Sequence, residues 1–161
     1  MTIEPAAPEI HRVEPAYRNA LRLHAAIFWI PVFIGALAAD RFLLAGTPVA
    51  GLAPILAAFV GLSGVIIAPE RIYRRLGYAI DGRILRTVRG WLYHTDTIVP
   101  FVRVQHIDVT RGPVDKLFGI ASLVIHTAGT HNSIVTLPGL SPSRAAEIRE
   151  AIRVTIRADA E

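Results

Sequence analysis

The sequence predicts a membrane α-helical hairpin followed by an α+β domain, an antiparallel partly closed barrel capped by one C-terminal helix. Three observations predict it. Phe42 to Pro69 holds no charged residue in 28 positions, and Ala25 to Ala39 holds none in 15. Beyond Arg75 the apolar runs give way to short alternating stretches punctuated by turn residues. From Ser141 onward, apolar residues return at helical spacing. With 161 residues, 52% of them hydrophobic, the chain has room for one ordinary domain plus a membrane segment.

The first apolar run extends from Leu23 to Ala39, and the second, Pro48 to Ala68, is 21 residues without a charge. A membrane span needs about 20 mainly apolar residues. The second run meets that alone. The first reaches it through Leu44 if Asp40 and Arg41 extend to the far interface. Gly46-Thr47-Pro48 makes the turn, and Pro31 and Pro54 are tolerated inside membrane helices. A buried soluble hairpin would need a polar stripe, and residues 42–69 offer only Thr47 and Ser63. Ala36-Leu37-Ala38 has the form of a signal-peptide cleavage site. The preceding segment argues against that reading, because it contains Glu4, Glu9 and Glu14 and has no net positive charge.

Arginine placement sets the orientation. Arg12, Arg18 and Arg22 precede the first span, Arg71, Arg74, Arg75 and Arg83 follow the second, and Arg41 stands alone between them. Both termini are therefore expected in the cytoplasm. The predicted division is an N-terminal cytoplasmic segment over 1–22, a transmembrane hairpin over 23–69, and a folded domain over 70–161.

In the domain, Leu76, Tyr78 and Ile80 alternate before the turn dipeptide Asp81-Gly82. Further strands are expected at Arg83–Arg89, Trp91–Val99 and Val104–Arg111, the last ended by Gly112-Pro113. Ile120–Thr127, a turn at Gly129–Asn132 and a return at Ser133–Leu137 follow. Turn signals every 8–12 residues indicate antiparallel pairing. Ser141-Pro142 then reads as a helix start, a hydroxyl N-cap followed by proline at the first helical position. Ala145, Ile148, Ile152 and Ile156 form the apolar stripe of that helix.

The stretch Arg103 to Pro113, then Leu117-Phe118-Gly119-Ile120-Ala121, then His126-Thr127-Ala128-Gly129, resembles the bacterial membrane-anchored PH-like family of the YdbS type. Tyr73, Tyr78, Leu85 through Gly90 and Pro138-Gly139-Leu140 fit the same pattern. The resemblance covers nearly all of residues 17–157. It implies two membrane helices, then one PH-like domain at a bacterial inner membrane. It implies no defined activity.

Composition narrows the function. The chain has no cysteine, which excludes disulfides, thiolate zinc sites and cysteine nucleophiles. Residues 70–161 carry 13 basic and 9 acidic groups, and so hold the chain's whole net charge of +4. Lys116 is the one lysine among 17 basic residues. The arginines are dispersed and accompany no nucleic-acid motif, so no nucleic acid partner is expected. His94, His106, His126 and His131 have spacings that match no metal motif, although His94 and His106 can be neighbours on adjacent strands. Asp81, Asp96, Asp108 and Asp115 sit at turns or alternate with apolar residues, as solvated positions do. No catalytic residue, metal or cofactor is expected. Gly112-Pro113 and Gly119 read as backbone punctuation.

Arg71, Arg74, Arg75, Arg83, Arg86 and Arg89 are the candidate contacts to the membrane surface or to a partner. The first three also serve to orient the helices. The last three fall on the first hairpin of the domain, where strand alternation puts Arg83 and Arg89 on one face and Arg86 on the other. The expected role is a non-enzymatic binding or assembly module, a scaffold whose partner is a membrane protein, a second copy of the chain, or a peptide added to a sheet edge. Membrane lipids are its expected surroundings. Recognition of anionic lipid headgroups is the alternative, and an accessory subunit of a membrane transport complex is a third.

Overall fold

The computed structural model describes residues 10–91, 93–128 and 133–158. Two long helices form an antiparallel hairpin, α1 (Ala16–Leu43) and α2 (Leu52–Arg74). At 1.5 Å per residue they are about 42 and 35 Å long, enough to cross a hydrocarbon layer of about 30 Å. Both begin or end several residues beyond their uncharged runs, so α1 and α2 each carry an arginine-bearing turn outside the apolar stretch. Their surfaces distinguish a membrane hairpin from a soluble one. Phe28 is 62% exposed, Phe59 72% and Leu62 63%, in helices that a soluble protein would bury.

An aromatic contact between the helices and a contact at the turn help to hold the hairpin. Trp29 lies against Gly61 and Gly64; a Cβ at Gly64 would stand 2.6 Å from the indole Nε1, so a larger residue there would displace the ring. At the far end, the Gly51 amide donates to Asp40 Oδ1 at 2.7 Å. Gly51 starts α2 from a left-handed backbone, φ +89°, which glycine adopts without strain.

The domain consists of two antiparallel sheets. The first has the order β1 (His11–Arg12), β2 (Gly77–Asp81), β3 (Ile84–Arg89), β4 (Thr95–Pro100). The second has the order β5 (Val104–Thr110), β6 (Ala121–Thr127), β7 (Ile134–Leu140). Neither sheet is closed among the described residues, so the strands form two sheets where a partly closed barrel was expected. The division falls where Pro100, which has no N–H for a ladder, ends β4 and a single 3-10 turn, Phe101–Arg103, redirects the chain. Each ladder runs one step further into that turn, the Phe101 amide donating to the Arg83 carbonyl at 2.9 Å in the first sheet and Ala128 to Arg103 at 2.8 Å in the second. A bond between the two sheets comes from elsewhere, the Glu14 amide donating to the Gly139 carbonyl at 2.7 Å.

The last of these belongs to a segment whose structure the sequence did not announce. His11 and Arg12 pair with Tyr78 and Gly77, Val13 is 3% exposed in the core, and Tyr17 packs on Gly139. Gly139 has φ +75°, and a Cβ there would fall 2.6 Å from Tyr17 Cγ. A short helix, α3 (Pro113–Leu117), stands where the sequence showed turn residues. Pro113 opens it, and the Asp115 carboxylate accepts from the Gly112 amide at 2.9 Å. The expected turn at Gly129–Asn132, with His131, lies outside the described residues.

The closing helix, α4 (Pro142–Ala158), follows the predicted stripe. The Arg144 amide donates to Ser141 Oγ at 3.3 Å, so serine caps the helix. Ala145, Ile148 and Ile152 are buried, and Ile156 packs at their margin. They share one core with Leu85 and Val99 of the first sheet and Leu123, Ile125 and Leu137 of the second. Ile152 is fully buried at the centre of that core. Replacing it with alanine removes apolar contacts and leaves a void, which should destabilise the domain by about 2–5 kcal/mol. Thermal unfolding of the full chain in detergent, followed by near-UV circular dichroism, should show a clear drop in midpoint; an unchanged midpoint would mean that α4 is not packed as described.

Candidate functional site

The candidate site lies where the hairpin meets the domain. The last turn of α2 carries Arg71 and Arg74, and Arg75 caps it, its amide donating back to Ile72 and Tyr73. Cations suit this position, because helix carbonyls are unsatisfied there. Leu76, next along the chain, turns into the core.

Glu70 organises this junction. Its Oε2 receives Arg18 Nη1 at 3.2 Å and pairs with Arg22 Nη2 at 3.6 Å, both from α1. Its Oε1 receives Arg74 Nε at 2.7 Å. One carboxylate therefore faces three guanidiniums from two helices. The Arg18 guanidinium also stands 5.8 Å from the centre of the Tyr73 ring, a cation–π contact.

Beside this hub, Arg75 Nη1 donates to the Trp91 carbonyl at 2.9 Å. A cleft of about 390 Å³ opens there, with Arg12, Arg74, Arg75 and His94 around it and Leu76 and Val88 in its wall. Arg12 reaches it because β1 pairs with Gly77 at the start of β2. The cleft is cationic and sits at the end of a membrane-length helix.

The six sequence-predicted arginines do not converge. Arg71, Arg74 and Arg75 share the junction. β2 leads away from it, from Gly77 to Asp81, over about 16 Å. After the Asp81-Gly82 turn, β3 returns, so Arg83 lies at the far end and Arg89 at the near end. Arg83 borders the inter-sheet corner, where its carbonyl accepts from Phe101. Strand alternation holds as expected: Leu85 and Thr87 point into the core and Arg86 points the other way. There Arg86 binds Asp96, diagonally across the ladder on β4. Its Nε lies 3.0 and 2.9 Å from the two carboxylate oxygens, and Nη2 also donates to Oδ2. Arg86 is thus occupied by a cross-strand ion pair.

The histidines also separate. His94 joins the junction cleft. His106 is paired in register with His126, not with His94. Asp108 takes both, His106 Nε2 at 2.8 Å and His126 Nε2 at 3.6 Å. Among the described residues no group of three His, Asp or Glu side chains is arranged to hold a metal ion.

Sequence reasoning missed Arg12 and the Glu70 hub. The signal for the hub was present: Glu70 is the first charge after the 28-residue gap, and Arg18 and Arg22 are four apart, on one helical face. Nothing in residues 10–13 marked a strand.

A family model described as bacterial PH domain matches residues 25–154. The chain is also similar to the transmembrane protein YdbS of Bacillus subtilis (strain 168), with 34% identity over 88 residues, 55% of this chain and 54% of that protein. The chain spans about half the length of that curated relative. No solved structure matches it significantly.

The Arg86–Asp96 pair makes stability depend on pH in a defined sense. Hydrogen bonds from Arg86, then its charge, hold the Asp96 carboxyl below its ordinary pKa. A carboxyl lowered on folding stabilises the fold above its unfolded pKa of about 3.9, and that contribution is lost as pH falls through the lower folded value. Asp96→Asn should therefore melt below the native chain near pH 7. The gap should close as the pH falls from about 4 toward 2. A gap that is constant over that range would show that the ion pair contributes nothing.

Proposed function

The chain belongs to the bacterial PH domain family, and on that footing we propose that it is a non-enzymatic binding and assembly module, held by its hairpin at the cytoplasmic face of a bacterial inner membrane. One observation carries this reading. Both helices enter the domain with almost no linker. α2 passes into β2 through Arg75 and Leu76, and β1 is separated from α1 by residues 13–15. Leu76 and Val13 are buried on either side of that passage. A domain attached this way has a fixed attitude to the bilayer, which suits presenting one surface to a partner in the same membrane or to a second copy.

The carboxylates support a non-enzymatic role. Asp96 is bound to Arg86, Asp108 to two imidazoles and Asp115 to the start of α3. Each has a structural partner. The reading keeps the expected division, hairpin over 23–69 and domain over 70–161, and adds β1 to the domain from the preceding segment. The arginine distribution supports a cytoplasmic domain, since Arg12, Arg18, Arg22, Arg71, Arg74 and Arg75 lie at the domain end and Arg41 at the other.

The junction cleft favours a second reading, contact with anionic headgroups. A basic side chain near such a surface is worth about 1 kcal/mol. Arg74 and Arg75 already have protein partners, and Arg83 lies a strand's length away, so this attraction is general and weak.

Two measurements on the full chain test the proposal. An alkaline phosphatase fusion at Gly46 should be active, and one after Glu161 inactive; an active C-terminal fusion would overturn the orientation. In nanodiscs, exchanging phosphatidylcholine for phosphatidylglycerol should raise the melting temperature only slightly, and added salt should remove the increase. A large shift that survives salt would favour specific headgroup recognition over the partner-binding module.

A further inference from the structure

We propose that the cleft between β5 and α4 binds an extended acidic peptide segment of a partner protein. The inference deepens the binding-module reading and rests on it, because it names the surface and the chemistry of the partner.

The cleft is about 510 Å³ and is lined by Val104–Ile107 of β5 and by Arg149, Arg153, Ile156 and Arg157 of α4. Three arginines four residues apart stand in a row along one helical face. Like charges at this spacing repel. One counter-charge is near them, Glu150 Oε2 at 3.7 Å from Arg153 Nη1. The helix terminus accounts for a cation at Arg157, but not for Arg153 or for Arg149 further back. Arg149 Nε is shielded from water and has no hydrogen-bond partner among the described residues.

The facing strand supplies the second half of the site. β5 pairs with β6 on one side, and among the described residues no strand covers the other. Its ladder is irregular between Val104 and His106, leaving Gln105 out of the pairing beside the cleft. An open strand edge takes an extended chain through backbone hydrogen bonds. In such a chain, side chains on one face repeat every 6.6–6.8 Å, roughly twice the strand rise. Arginines four apart on a helix repeat every ~6 Å. Where the added chain runs along α4, carboxylates on its alternate residues come into step with successive guanidiniums. Ile107 and Ile156 provide apolar floor between them.

Position selects a peptide over a lipid. β4 leaves the junction at Thr95 and reaches the far end at Pro100, and β5 starts from there. Val104–Ile107 is thus the half of β5 distant from the helices, about one strand length from the headgroup level. That distance exceeds the screening length of about 8 Å at physiological salt. The bilayer that holds the chain does not reach this cleft, whereas a partner's acidic segment does.

The test uses the full chain in phosphatidylcholine nanodiscs and a fluorescein-labelled peptide of alternating glutamate and valine, titrated by fluorescence anisotropy. Saturable binding is expected, at least about tenfold weaker for the matching glutamine–valine peptide. The combined variant Arg149→Gln, Arg153→Gln, Arg157→Gln should lose at least about tenfold in affinity, while Lys116→Gln on the opposite end should not. Hydrogen exchange of residues 104–107 should slow when the peptide is bound. Equal binding of the two peptides, equal binding by the triple variant with its melting temperature retained, or no binding overturns the proposal. So does peptide displacement by phosphatidylglycerol vesicles that depends on the three arginines, which would make the cleft a lipid site. The broader reading fails separately: in-cell crosslinking from sites across the whole domain would then give no discrete protein adduct. Adducts that map to another face would overturn the cleft and leave the module standing.

Discussion

The structure depends on how one carboxylate is shared. Glu70 sits where α2 leaves its apolar stretch and binds Arg18, Arg22 and Arg74. Without it, two helices would present three guanidiniums to one another at a boundary of falling dielectric, where unscreened repulsion is strong. With it, the helix ends are tied together and a positive excess remains. Both consequences are needed. The tie fixes the spacing of the two helices as they enter the domain, and the excess is the kind of flank that orients a hairpin. The apolar end is fastened differently, by Trp29 against two glycines and by Asp40 on the Gly51 amide.

From that junction the domain is assembled around one core with two entrances. Val13 enters from the N-terminal side and Leu76 from the C-terminal side of the hairpin, and both end among Leu85, Leu123 and Ile152. The hairpin is thereby an insertion between β1 and β2, two paired strands of the same sheet. Separating helices from domain would require opening that sheet and exposing Tyr17 and Gly139.

Much of this was legible in the sequence. The hairpin was, because 28 uncharged positions have few stable alternatives to a bilayer. The α4 stripe was, because a period near 3.6 over about three turns is a strong local signal. The strands were located to within a few residues by their turns, but their pairing was not. Turn spacing counts strands and says little about which edges meet, so two sheets stand where a partly closed barrel was expected. β1 was invisible because two residues carry no periodicity and its pairing partner lies more than 60 positions away. The arginines show the same limit. Alternation along β3 turned Arg86 away from the core face of Leu85 and Thr87. That Arg86 would be neutralised depended on the register of β4, which places Asp96 diagonally opposite. The pairing of His106 with His126 rather than His94 likewise follows from register alone.

The near absence of linker between helices and sheet makes the molecule a lever. Bilayer helices change tilt when the thickness around them changes, and tilts of about 20° are ordinary. A flexible tether would absorb such a change; Arg75 and Leu76 do not, because one is bonded to Trp91 and the other is buried. A change in tilt of about 10° therefore displaces a point about 20 Å from the junction by about 3.5 Å, more than the length of one hydrogen bond. With the sheet tied to the helices in this way, a change of tilt at the junction would appear, enlarged by distance, at the far end of the domain.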